Sequence, residues 1–132
     1  MPEWPSTRAA RILVCEDNPI NELMLTHILE TAGASYVTVR DGAAAIEKAS
    51  SERFDLILMD VQMPLVDGLT ASRRIREIEA GAPYRTPIIA VTAGATAQDL
   101  QEILDAGMDD RVSKPYRPEK IREFLSQYLR RG

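Results

Sequence analysis

The stretch Leu56-Ile57-Leu58-Met59-Asp60-Val61-Gln62-Met63-Pro64 governs how the rest of the sequence is read. Its four consecutive apolar residues predict a short strand buried on both faces, as in a parallel sheet. The run ends on a carboxylate, and Leu65-Val66-Asp67-Gly68 continues as a loop marked by Pro64 and an Asp-Gly turn. In open α/β sheets, ligands gather in the crevice outside the carboxyl ends of the strands, so Asp60 stands where chemistry is expected. Taken alone it reads equally well as a cap or turn residue for the next helix. The other strand ends separate the two readings.

Outward from this strand, the chain alternates strand and helix five times. Arg11-Ile12-Leu13-Val14-Cys15 is a first strand ending in Glu16-Asp17, and Asn18-Pro19 opens a helix with a cap and a first-turn proline. Ile20, Leu23, Met24, Ile28 and Leu29 recur at helical spacing to Ala32, with Gly33 as the stop. His27 has no metal-like partner in this helix and reads as a surface histidine. Tyr36 to Val39 is a second strand, and Asp41-Gly42 leads into a small-residue helix over Ala43–Ala49. The helix after Asp60 spans about Leu69 to Ala80, with Leu69, Ile75 and Ile78 inward; Arg73, Arg74 and Arg76, beside Glu77 and Glu79, read as a solvated face. Ile88 to Thr92 is the fourth strand. Thr96 and Asp99 then resemble a capping box that starts a helix to Ala106, with a thin stripe of Leu100, Ile103 and Leu104. A short fifth strand from Asp110 to Ser113 ends at Lys114-Pro115, and a last helix from Pro118 to Leu129 buries Ile121, Phe124, Leu125, Tyr128 and Leu129. Five such units predict an α/β fold with a doubly wound, five-stranded parallel sheet of flavodoxin-like order 2-1-3-4-5 and helices on both faces.

At 132 residues, 45% hydrophobic and 27% charged, the chain has the composition of one globular domain. The expected organisation is a loose arm over residues 1–10, without the apolar core of a signal peptide, followed by one domain over 11–130. A formal net charge of −4 argues against a nucleic-acid binder. One cysteine allows no internal disulfide, which points to a reducing, cytoplasmic setting. No apolar run is long enough to cross a bilayer.

The strand ends deliver Glu16 and Asp17, Asp60, Thr92 and Lys114 to one edge of such a sheet. Three carboxylates crowded together repel unless a cation is present, and an oxygen-rich set with room for water suits Mg2+ better than zinc or copper. A lysine ammonium and a threonine hydroxyl at the same edge are suited to an oxyanion. Together they describe a carboxylate nucleophile, a metal and two donors for a transferred phosphoryl group.

These residues resemble the receiver domain of two-component response regulators, most closely receivers of the hybrid sensor kinase type. The resemblance runs from about Arg11 to Leu129 and rests on Ile12-Leu13-Val14-Cys15-Glu16-Asp17-Asn18, Leu58-Met59-Asp60-Val61-Gln62-Met63-Pro64 with Asp67-Gly68, Pro87 through Ala93, Ala106-Gly107-Met108-Asp109-Asp110 and Ser113-Lys114-Pro115. It implies that Asp60 takes a phosphoryl group from a histidine kinase or histidine phosphotransfer protein, with no activity beyond self-catalysed transfer and dephosphorylation. It also implies Mg2+ held by Asp17, Asp60 and the backbone carbonyl of Gln62, with Glu16 acting through water. Thr92 and Lys114 would contact the phosphoryl group, and the Lys114–Pro115 bond would be cis. Output would pass to a downstream protein through the fourth helix, fifth strand and fifth helix, with dimerisation on activation left open.

One position departs from the family. Three residues before the lysine, where an aromatic is usual, stands Arg111. An arginine resists burial unless paired, so it is expected to stay outside and pair with an acid of the chain or of a partner. This departure supports the main alternative, a phosphorylation-independent interaction module. Two other readings fail on chemistry: Glu16-Asp17 would repel a flavin phosphate, and Gln62 breaks the Asp-x-Asp spacing of an Asp-nucleophile phosphatase.

Overall fold

The computed structural model describes residues 10–63, 65–93, 96–114 and 117–129. Five parallel strands, β1 (Arg11–Cys15), β2 (Ser35–Val39), β3 (Leu56–Asp60), β4 (Ile88–Thr92) and β5 (Asp110–Ser113), lie in the order β2-β1-β3-β4-β5. Five helices connect or follow them: α1 (Pro19–Thr31), α2 (Gly42–Ser51), α3 (Gly68–Glu79), α4 (Ala97–Asp105) and α5 (Pro118–Leu129). The expected fold class and strand order are those observed.

Alternation along the strands divides the core into two layers. Ile12, Val14, Leu56, Leu58, Ile89 and Val91 face α1 and α5, where Leu25, Leu29, Ile121, Phe124 and Leu125 meet them. Leu13, Cys15, Ile57, Met59, Ile88 and Ala90 face the other way, onto Ala45, Ala71, Ile75 and Ile103. β3 and β4 are buried along their whole length. This explains their unbroken apolar runs and places their last residues, Asp60 and Thr92, in the interior at the sheet's carboxyl edge.

The helices start where the sequence places them. Asn18 caps α1 by accepting from the amides of Ile20 and Asn21, Asp41 caps α2, and Asp67 caps α3. Thr96 and Asp99 form a full capping box on α4. Three details of the sequence reading are corrected. In α1 the buried face is Leu25, Thr26, Ile28 and Leu29, whereas Ile20 and Leu23 are 70% and 69% exposed. Ile78 in α3 and Leu104 in α4 are likewise exposed. Arg76 is not a solvated arginine: its guanidinium is bonded to the Gly107 carbonyl and to Asp109, just before β5. The Leu129 side chain, Pro115 and the loop residues Gly94 and Ala95 lie outside the described residues, as does all of the N-terminal arm except Ala10. Ala10 is buried, and its carbonyl accepts from the Ser35 amide.

Candidate functional site

β1 and β3 are neighbours in register, Cys15 beside Met59, so the residues after one strand and at the end of the other meet at the point where the strand order reverses. Glu16 is wholly buried and Asp60 is 2% exposed, while Asp17 faces solvent. One carboxylate oxygen from each of Glu16, Asp17 and Asp60 lies within 4.8 Å of the others. From the far side of β4, Lys114 reaches in: its Nζ is 3.1 Å from Asp60 Oδ2 and 3.8 Å from Glu16 Oε1. The Lys114 amide donates to the Thr92 carbonyl at 3.0 Å, which anchors the backbone of the one to that of the other.

Local backbone holds these carboxylates in place. The Gln62 amide donates to Asp60 Oδ1 at 3.0 Å, so both oxygens of Asp60 have a partner and its plane is fixed. The Asn18 amide donates to Glu16 Oε2 at 3.2 Å. The loop after Asp60 turns back on itself, with the Gly68 amide donating to the Val61 carbonyl at 2.9 Å, and Met63 packs into the core beside it. The negative potential is felt next door. Burial first, then the charges of Asp60 and Glu16, push the Cys15 thiol well above its ordinary range, so Cys15 stays a neutral core thiol.

Glu16, Asp17, Asp60 and Lys114 therefore gather at one place, and Thr92 ends the neighbouring strand with its carbonyl bonded to the Lys114 amide. Two buried carboxylates and one exposed one, facing a single ammonium, leave excess negative charge beside solvent. The donor set is all oxygen and accessible from one side, which fits a hard divalent cation. Arg111, by contrast, is half-buried on β5, on the opposite side of β4 from Asp60; its amide donates to the Asp110 carboxylate, and its charge acts on Asp99 at the start of α4. Sequence reasoning missed that the apolar side chains of Ile20, Leu23 and Leu65 are exposed. Leu65 is 84% exposed and holds a positive φ of 68°. Its apolar character was visible, but nothing local in the sequence distinguishes a displayed leucine from a buried one.

The model of the response regulator receiver domain matches residues 12–126. The chain belongs to the response regulator receiver family. Among curated relatives, the receiver is 41% identical over 124 residues to the sensor protein GacS of Pseudomonas syringae pv. syringae, covering 93% of this chain and 14% of that protein. It is 39% identical over 132 residues to hybrid signal transduction histidine kinase L of Dictyostelium discoideum, covering 97% of this chain and 8% of that one. The chain thus spans a small fraction of the relatives it matches. Among solved structures, the receiver domain of sensor histidine kinase PA1611 from Pseudomonas aeruginosa PAO1, which has a magnesium ion coordinated in its active site cleft, is similar with a TM-score of 0.84 at 38% identity, covering 92% of this chain and 98% of that one. The receiver domain of Ssk1 from Saccharomyces cerevisiae, co-crystallised with the histidine phosphotransfer protein Ypd1, gives a TM-score of 0.85 at 26% identity, covering 92% and 90%. No helix among the described residues of the receiver is long and apolar enough to cross a membrane.

Proposed function

We propose that Asp60 accepts a phosphoryl group from the phosphohistidine of a histidine kinase or histidine phosphotransfer protein, and that the resulting acyl phosphate alters a partner-binding face on α4, β5 and α5. The observation that carries this reading is the Asp60–Lys114 pair, 3.1 Å apart in the interior beside Glu16 and Asp17. A lone buried carboxylate would be costly, and this one is paired with an ammonium able to follow a phosphoryl oxygen.

In the transfer, an Asp60 oxygen attacks phosphorus in line. The P–N bond of the phosphohistidine breaks, and the imidazole leaves with the bonding pair. Lys114 sits beside the carboxylate that becomes the acyl phosphate and balances oxyanion charge there. The Thr92 side chain, at the end of β4, offers a hydroxyl to the same oxyanion. Asp17, Asp60 and the carbonyl of Gln62 would hold Mg2+, with Glu16 acting through water; when bound, the ion neutralises charge on the transferred group. Attack of water on phosphorus returns Asp60, so the domain turns over only its own phosphoryl group. The Mg2+-bearing cleft of the PA1611 receiver and the Ypd1-bound receiver of Ssk1 support this assignment. Ile20 and Leu23, in the first turns of α1 just after Asp17, and Leu65 in the loop after Asp60 are exposed apolar side chains available to the donor protein.

Amide NMR with Mg2+, before and after addition of beryllofluoride, tests the reading with Asp60→Asn as control. Shifts spreading from Asp60 to Thr92, Lys114 and α4, and absent in the variant, are expected. Equal spectra with and without beryllofluoride would sink it and favour a phosphorylation-independent module.

A further inference from the structure

A groove of about 660 Å³ runs between β5 and the first turns of α5. Its floor is the outer edge of the sheet: β5 pairs with β4 on one side and, among the described residues, with no strand on the other. Four cationic residues line it, Arg111, Lys114, Arg117 and Lys120, together with Asp110; the Lys114 ammonium is taken up by Asp60 at 3.1 Å, and Lys120 lies 3.7 Å from the exposed Glu123. These are four of the chain's 16 lysines and arginines, in a molecule whose formal net charge is −4. Asp110 does not offset them freely, since one of its oxygens already accepts from the Arg111 amide at 2.8 Å. Phe124 supplies an apolar wall, with Lys120 lying 5.2 Å from its ring centre.

We propose that this groove binds an extended acidic segment of a partner protein, which runs along β5 and places carboxylates against Arg111, Arg117 and Lys120. An edge strand offers main-chain donors and acceptors to an added strand, and alternate side chains of that strand then point the same way. The cations select acidic residues at those positions, and an apolar residue between them meets Phe124. The proposal rests on the reading of β5 and α5 as the output face and names the chemistry of its partner. Arg111 thereby gains a role that an aromatic at that position would not have. Its charge also acts on Asp99 at the start of α4.

The test is an NMR titration of the protein, with neither Mg2+ nor beryllofluoride present, by a short peptide of alternating Glu and Val. Its outcome is therefore separable from the response of Asp60 to beryllofluoride. Shifts confined to β5 and α5 are expected, together with binding about tenfold weaker in Arg117→Glu and in Lys120→Glu. Both side chains are exposed, so the fold is unaffected. The double variant Arg117→Glu/Lys120→Glu should in turn bind the Lys and Val counterpart, which a merely structural role would not produce. The proposal is overturned by absence of binding, by shifts elsewhere, by equal binding of the Lys peptide to wild type, or by tighter binding of a single-stranded oligonucleotide at the same groove. Shifts that follow protein concentration without peptide would assign the groove to a second copy of the chain and overturn it as well.

Discussion

Gly68, the first residue of α3, lies so close beneath the end of β3 that a Cβ there would stand 2.1 Å from the Asp60 carbonyl oxygen. The loop between them is closed by the bond from the Gly68 amide to the Val61 carbonyl. The helix therefore begins directly against the backbone of the residue proposed to be phosphorylated, and the contact is possible only without a side chain. Gly68→Ala must push α3 away or displace Asp60, since the obstructing atoms are backbone. A loss of about 3 kcal/mol in stability is expected by chemical denaturation. Any residual folded protein should show altered amide shifts at Asp60 and Gln62. A fully stable variant with an unchanged Asp60 environment would contradict the close approach.

Arg76 binds four groups at the amino-terminal edge of the sheet. Its Nε donates to the Gly107 carbonyl at 2.8 Å, Nη1 to the Thr86 carbonyl and Glu79 at 2.7 Å each, and Nη2 to Asp109 at 2.9 Å. Asp109 also accepts from the Ile88 amide at 2.8 Å, so one guanidinium joins α3 to the starts of β4 and β5. Arg76→Ala removes a charged donor from two carbonyls and two carboxylates, and a cost of about 3 kcal/mol is expected. Arg76→Lys recovers little, because one ammonium cannot replace the planar fork. Two positions earlier, Arg74 pairs with Glu77 on the surface, and Arg74→Ala is expected to change stability by less than about 0.5 kcal/mol. Equal costs for the two alanine variants would refute the distinction.

That contrast shows where the sequence stopped being legible. β1, β3 and β4 were readable because burial on both faces leaves continuous apolar runs, and each strand-end polar residue was found because such a run stops at it. The caps were readable because Asn18, Asp41, Asp67 and Thr96 act on amides two or three residues away. Arg76 was not, since its partners Gly107 and Asp109 lie 31 and 33 residues on. In the charge pattern it is indistinguishable from Arg74. α1 carries two overlapping apolar stripes, and periodicity alone does not say which one the sheet takes. The sheet takes Leu25, Ile28 and Leu29, and leaves Ile20 and Leu23 displayed beside the acidic cluster.

The charge balance at the acidic cluster has a consequence for stability. Glu16 and Asp60 are buried side by side, with Lys114 as the ammonium that pairs with both. Asp60→Asn removes one repelling carboxylate while Lys114 keeps Glu16, so without divalent cations the variant is expected to be about 1 kcal/mol more stable than wild type. Mg2+ should raise wild-type stability by about 2.7 kcal/mol at about one hundred times its Kd, and do less for Asp60→Asn. Thermal melts of both proteins, with Mg2+ or with a chelator, read this directly. A wild type indifferent to Mg2+ would mean that the three carboxylates do not form a cation site.

The start of α4 sets a second dependence, on pH. The Thr96 amide donates to Asp99 Oδ2 at 3.1 Å and its hydroxyl donates at 2.8 Å, while the Asp99 amide donates back to the hydroxyl at 3.0 Å. These bonds, and then the nearby charge of Arg111, hold the Asp99 carboxyl below its ordinary value of 3.8. A carboxyl depressed by folding stabilises the helix start fully above that ordinary value, and the contribution is lost as pH falls through the folded one. The Thr96 amide shift should therefore titrate with a midpoint below 3.8. Thr96→Ala removes the hydroxyl from both bonds, so the Asp99 midpoint should move up toward the ordinary value and stability at neutral pH should fall by about 1 kcal/mol. Arg111→Ala should move the midpoint the same way by a smaller amount, because its charge lowers the Asp99 carboxyl less than the Thr96 bonds do. A midpoint unmoved by Arg111→Ala would remove the electrostatic link between β5 and the start of α4.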